Sequence, residues 1–426
     1  MDSKLKKRNI IWIMLFVAFF GISMGLWENY KIIWLEGTGF SILNISTILS
    51  ISLIVGGVFA VVVNVCFRKL DPKYVIQYCI LLKTISMILL IFLFQKNVSV
   101  AIVYILFIFD GVAGSLVFNA IYPFITKYQK SDKMYSVFKI TDYTTRDVGL
   151  GVAMFVISFI TANYLEYNII LIIATVLSLF CVLISLMFAK GDKTVSPKFK
   201  FKGIFEKRSV RLYYLYAFIS PIAYDSVMSF QVIILRDFAL LSMNWVSIFL
   251  LIAGVAGDIF AVFALYKLTP KNDYLTVICK FGARFLVYLL MSIIATPAMA
   301  IIALFVVLFF SRTYEDVTDG KFINVVKQEN RFAHSNIRYL FSRTGHALGT
   351  FISGLLIICG MRYLFIVGAI LVLTQSILLC IGLYYLKKDE KKMLIASSKS
   401  FQKKFVFKKE LDNSLQIKKK FKLRKY

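Results

Sequence analysis

The residues of this sequence that could do chemistry are ionisable side chains set deep inside long apolar runs: Glu28, Asp110, Arg146, Asp147, Asp225, Asp258, Arg284, Arg312, Glu315, Asp316, Arg343 and His346, with Lys83 and Lys280 beside them. In hydrocarbon, a mid-span charge costs at least about 2.5–3.5 kcal/mol on insertion scales. A chain that keeps so many must pair them, wet them in a cavity, or use them. Two uses suggest themselves. Glu28, Asp110 and Asp225 are carboxylates near the middle of their runs, where desolvation favours the neutral acid and brings proton exchange towards physiological pH. Arg146, Arg312 and Arg343, with His346, could hold an anionic group, since a guanidinium offers a two-pronged donor to carboxylate or phosphate. Trp27, beside Glu28, could line a pocket for an amphiphile or anchor at the interface. The structural alternative is inter-helix locking: Asp110 with Arg146, and Glu315 or Asp316 with Arg343, while Asp147 and Asp258 serve as ion-pair residues.

Other chemistries are poorly served. Glu315, Asp316 and Asp319 share a helix face, but one helix offers no complete oxygen shell and Arg312 opposes a cation, so no metal is expected. With only His334 and His346, an integral membrane enzyme lacks an acid/base set. A receptor that transports nothing is a further class. No GxxxxGK[ST] phosphate loop exists to bind ATP, and no cofactor is expected. The six cysteines, Cys66, Cys79, Cys181, Cys279, Cys359 and Cys380, lie in or beside apolar runs without disulfide or zinc spacing.

The elements that must position these groups are membrane-spanning helices. Hydrophobic residues make up 59% of 426 positions, mean hydropathy is +0.77, and only 17% of residues are charged, which leaves no polar coat for a soluble chain. Runs of roughly 18 or more apolar residues, each enough to cross the bilayer as a helix, recur without the period-two alternation of membrane strands. The expected spans are 9–33, 42–66, 74–94, 99–127, 136–162, 165–188, 212–235, 244–266, 274–295, 298–326, 334–359 and 362–386. The first continues through Glu28 and has no small-residue cleavage site, so it reads as a span and not a signal peptide.

A net charge of +27 could suggest nucleic acid, but the basic residues fall between spans and in the tails. Alternate loops carry them: Arg68, Lys69 and Lys73; Lys127, Lys130 and Lys133; Lys267 and Lys271; Lys327 and Arg331. By the positive-inside rule that side is cytoplasmic, with both termini, which places a multi-pass chain in a cell membrane with its basic loops against anionic headgroups. The expected organisation is a six-helix bundle at 1–188, a basic cytoplasmic linker at 189–211, a second bundle at 212–386, and a basic tail at 387–426. That tail has fifteen Lys/Arg against four acidic residues and reads as topology charge, disorder or a helix on anionic lipid.

The halves look alike. Lys69-Leu-Asp-Pro-Lys73 matches Lys267-Leu-Thr-Pro-Lys271, and Leu53-Ile-Val-Gly56 matches Leu251-Ile-Ala-Gly254, both at a shift of 198. Arg146 and Arg343 each precede glycines (Gly149 and Gly151; Gly345 and Gly349) at a shift close to 197, so a duplication accounts for the pattern. Over residues 9–386 the chain resembles the major facilitator superfamily of secondary transporters: a 6+6 layout, a basic central linker, and basic loops after spans two and eight. It departs from the family in having Arg68 and Asp71 where the loop signature has Asp and Gly, Asp110 four residues before Gly114 where span four often has Arg, and no Pro beside Gly149 and Gly151. The resemblance implies an all-α membrane fold of twelve helices in two pseudo-symmetric bundles. It implies a cavity lined by spans 1, 2, 4, 5, 7, 8, 10 and 11, with Lys83, Lys280 and Arg284 peripheral and structural, Arg284 neutralising Asp258. The expected function is alternating-access transport of a small solute, driven by protons and directed to efflux of a small amphipathic compound. Uptake of a small organic anion is the second reading, favoured by the arginines.

Overall fold

The structure, a computed structural model, describes residues 3–66, 70–93, 99–128, 141–142, 144–149, 151–152, 164–188, 205–263, 273–311, 321–322, 325–326 and 330–423. The described residues hold no strand. Helices α1 (Ser3–Gly37), α2 (Ile42–Cys66), α3 (Pro72–Leu93), α4 (Val100–Tyr128) and α6 (Tyr164–Leu186) make the first half, with helical residues 144–149 and their neighbours marking α5. The second half holds α7 (Arg208–Met228), α8 (Met243–Phe263), α9 (Asp273–Ile294), α10 (Pro297–Ser311), α11 (Arg331–Cys359) and α12 (Met361–Leu423).

Bilayer thickness dictates these lengths. Among the described residues nine helices are long and apolar enough to cross a membrane, and Pro297–Phe310 is a shorter apolar one. Predicted span eleven falls outside those nine, although α11 runs for 29 residues, because Asn336, Arg338, Arg343 and His346 dilute its hydropathy. Two boundaries differ from the sequence reading. After Met228 the seventh span turns, resumes at Gln231–Ile233 and ends in a π-turn at Ile234–Phe238. The twelfth helix does not stop at 386; its backbone stays helical to Leu423, far past the roughly 20 residues a bilayer needs.

Each half repeats one neighbour pattern: α3 packs on α4 and α6 as α9 packs on α10 and α12; α1 packs on α6 as α7 on α12; α2 packs on α4 as α8 on α10. Apolar side chains cover the outside as well as the core. Ile11, Phe59, Tyr78, Phe92, Leu183, Ile252, Ile293 and Ile370 are all more than half or nearly half exposed, a belt that only lipid can cover. Between α11 and α12, Gly360 has φ +124, a conformation L side chains rarely adopt.

Candidate functional site

Close backbone approach sets the site. A Cβ at Gly21 or Gly25 on α1 would collide with Thr145 or with the Arg146 backbone of α5, and one at Gly149 with Ile22. In the other half Gly345 and Gly349 of α11 accept the backbone of Phe218 and Ile222 on α7. Small residues of this kind let membrane helices touch. They bring α1 to α5 and α7 to α11, so that Glu28 lies near Arg146, and Asp225 near His346.

The halves meet along two seams. On one, Ser50 Oγ of α2 donates to the Ala347 carbonyl of α11 at 2.8 Å, Gly57 lies against the Arg343 side chain, and Asn64 Nδ2 donates to Asn336 Oδ1 at 3.0 Å. On the other, Gly151 of α5 faces Leu251 of α8, Gly254 faces Asp147, and Thr144 Oγ1 donates to Asp258 Oδ2 at 3.0 Å. At the ends remote from the basic loops, Arg236 Nη1 and Nη2 donate to Glu36 Oε2 and Oε1 at 2.9 and 2.8 Å. This bidentate tie joins the first and seventh spans, and Asp237 flanks the same guanidinium at 2.5 Å.

The carboxylates expected to exchange protons divide sharply. Asp110 is sealed: Lys83 Nζ lies 2.5 Å from Oδ1 and Trp27 Nε1 donates to Oδ2 at 3.1 Å, with both charged side chains essentially inaccessible. The expected lock with Arg146 is not made, and Lys83, expected at the periphery, reaches inward to supply the counter-charge. Trp27 is fully buried, edge-on to Trp34 and tilted on Phe107; it is a core residue and neither lines a pocket nor anchors at an interface. Glu28 stays about a third exposed and pairs with Lys31 at 2.5 Å. Asp225 accepts or shares a proton with His346 Nδ1 at 2.6 Å, both side chains partly exposed.

The cations divide too. Arg146 donates from Nε and Nη2 to Asp142 at 3.2 and 2.9 Å. Arg343 donates from Nε to Tyr339 Oη at 2.9 Å and lies over the same ring; no described carboxylate neutralises it. Arg284 does not pair with Asp258. It is buried over the Tyr224 ring, with Nη2 donating weakly to the Val307 carbonyl at 3.4 Å and Nε unsatisfied, because α9 turns it towards α7 and α10 while Asp258 faces α5. Asp147 is buried against α8. Arg312, Glu315 and Asp316 lie outside the described residues. Among the described residues no group of three His, Cys, Asp or Glu side chains could hold a metal ion.

Sequence reasoning missed Asp142, Tyr339 and Lys31 as partners, although Asp142–Arg146 and Tyr339–Arg343 stand four residues apart and Glu28–Lys31 three, spacings that share a helix face. It also missed the Glu36–Arg236 tie, which no local spacing announces.

No protein-family model matches the sequence, and no curated protein matches it. Solved structures match the fold. The nucleoside transporter NupG superposes with a TM-score of 0.62 at 14% identity, over 91% of this chain and 100% of that one. A bacterial homologue of the human lysosomal transporter Spinster, inward-facing and unoccupied, gives 0.64 at 13% identity, over 91% and 99%. The human organic anion transporter MFSD10 gives 0.63 at 10% identity, over 89% and 100%. The chain therefore has the major facilitator fold over about nine-tenths of its length.

Proposed function

We propose that the chain is a secondary carrier of a small solute, in which bundles at 1–188 and 212–386 rock about the two seams with the basic loops and termini on the cytoplasmic side of a cell membrane. The observation that carries this reading is the Asp225–His346 pair: a mid-span carboxylate and imidazole, 2.6 Å apart and partly exposed, on α7 and α11 next to the seam. A group in that position can take a proton when the site faces one side and release it on the other. Asp110 is too tightly held between Lys83 and Trp27 to do this. The similar structures are transporters by name, which supports solute carriage.

Of the two substrate readings, uptake of a small organic anion is favoured over efflux of a small amphipathic compound, because Arg343 is partly exposed beside the seam with no described acid to neutralise it. Proton-coupled anion uptake then follows from charge balance, since the proton offsets the carried charge. The test is flux in proteoliposomes with an imposed pH gradient. Asp225→Asn should abolish gradient-driven accumulation while leaving solute exchange, and Asp110→Asn should not reproduce that split. Flux indifferent to the gradient in the wild-type protein removes the proton role.

A further inference from the structure

The two halves are built alike around one internal position and differ there in charge. The match of Arg146 to Arg343 sets a register of 197 between the halves, at which Gly21 and Gly25 of α1 fall on Phe218 and Ile222 of α7, all four packed on α5 or α11. At that shift Trp27-Glu28 falls on Tyr224-Asp225, Lys83 on Lys280, and Asp110 on Val307. In the first half a cation from α3 meets the Asp110 carboxylate of α4 beneath the aromatic Trp27. In the second, Arg284, one turn beyond Lys280 on α9, sits beneath the aromatic Tyr224 and reaches the Val307 carbonyl of α10, and no described acid pairs with it. Arg284 is 3% exposed, and its Nε has no acceptor. Gln375, on antiparallel α12, is fully buried at a neighbouring height with both amide atoms unpaired.

We propose that Arg284 anchors the carboxylate of a small organic acid, which fills in the second half the place that Asp110 fills in the first. A guanidinium lined up on a planar carboxylate makes two charge-assisted hydrogen bonds, and an arginine in hydrocarbon that no described acid neutralises is otherwise a standing cost. Tyr224, partly exposed next to Asp225 with its ring over the guanidinium, is the residue the acid must pass to reach Arg284. Gln375 offers an amide donor to the carboxylate's second oxygen or an acceptor to a substrate hydroxyl.

This inference deepens the carrier reading and rests on it for the route of entry, so its test uses binding without flux. Thermal unfolding of the purified full-length protein is followed with acetate, benzoate and succinate, with their amides acetamide, benzamide and succinamide, and with inorganic phosphate. At least one carboxylate should raise the Tm and its amide should not. Val307→Asp, which gives α10 the acid that α4 has, should raise the concentration needed by about tenfold or more, and Arg284→Met, the residue at the matching Met87, should do the same. Val307→Asn, equal in volume to the aspartate but neutral, should retain the response and shows that the fold survives. Stabilisation that persists in both Val307→Asp and Arg284→Met, or absent for every carboxylate, overturns the proposal; phosphate acting in their place overturns the carboxylate assignment. Carboxylate binding without any flux in proteoliposomes removes the carrier reading and leaves the anchor.

Discussion

Lys83 and Asp110 face each other with no water to dilute their charges, so each is expensive alone and cheap only with the other. Removing one partner by Lys83→Met or Asp110→Asn should lower stability by about 3–5 kcal/mol, read as a fall in Tm of the purified protein. The double variant Lys83→Met with Asp110→Leu should regain most of that loss, since no orphan charge is left. A double variant as unstable as the singles would mean that the pair contributes packing rather than mutual neutralisation. The same residues show where reading along the chain stopped. Their depth in apolar runs was visible, and so was their need for partners. Which partner each takes depends on which helices face each other, and Asp110, expected to meet Arg146, meets Lys83 because α3 turns inward at that height. Arg146 finds its acid one turn away on its own helix, at Asp142.

At the scale of helices, lengths and order were legible because bilayer thickness imposes them; α2 matches the predicted span 42–66 at both ends. The breaks were not. The π-turn at Ile234–Phe238 and the unbroken run of α12 to Leu423 leave no mark in hydropathy. Glycines give this scale its sharpest test. Gly25→Val drives a branched side chain into the Arg146 backbone, and that backbone cannot yield without parting α1 from α5; expression of folded protein should fall severely, measured as the monodisperse fraction on size exclusion. Gly282, also inside a helix, has nothing within 4 Å of an added Cβ. Gly282→Ala should be tolerated and stabilise by about 0.5–1 kcal/mol through backbone entropy. If both variants behave alike, close helix contact is not what the glycine at 25 provides.

For the molecule as a whole, the repeat was legible in the matched loops, and the seams show how the two copies engage. Among the described residues serine, glycine, threonine and asparagine recur in them beside Arg343, Asp147 and Asp258, which suits the rocking proposed above. Among the described residues the Glu36–Arg236 tie is a bidentate ion pair between the halves at the ends remote from the basic loops. Arg236→Glu should push those ends apart, seen as a longer distance between spin labels at Leu43 and Leu240, and the swap Glu36→Arg with Arg236→Glu should restore it. An unchanged distance in the single variant would show that the seams, not this tie, hold that end shut.

Because both side chains of the tie are about a third exposed, solvent screening keeps its worth to about 1 kcal/mol or less. That is a factor of roughly five in an equilibrium constant, close to thermal energy. In the proposed carrier a latch so light cannot store one orientation indefinitely: it biases dwell times without blocking the exchange. Ionic strength alone should therefore retune the balance, with concentrated salt lengthening the intervals during which the far face stands open.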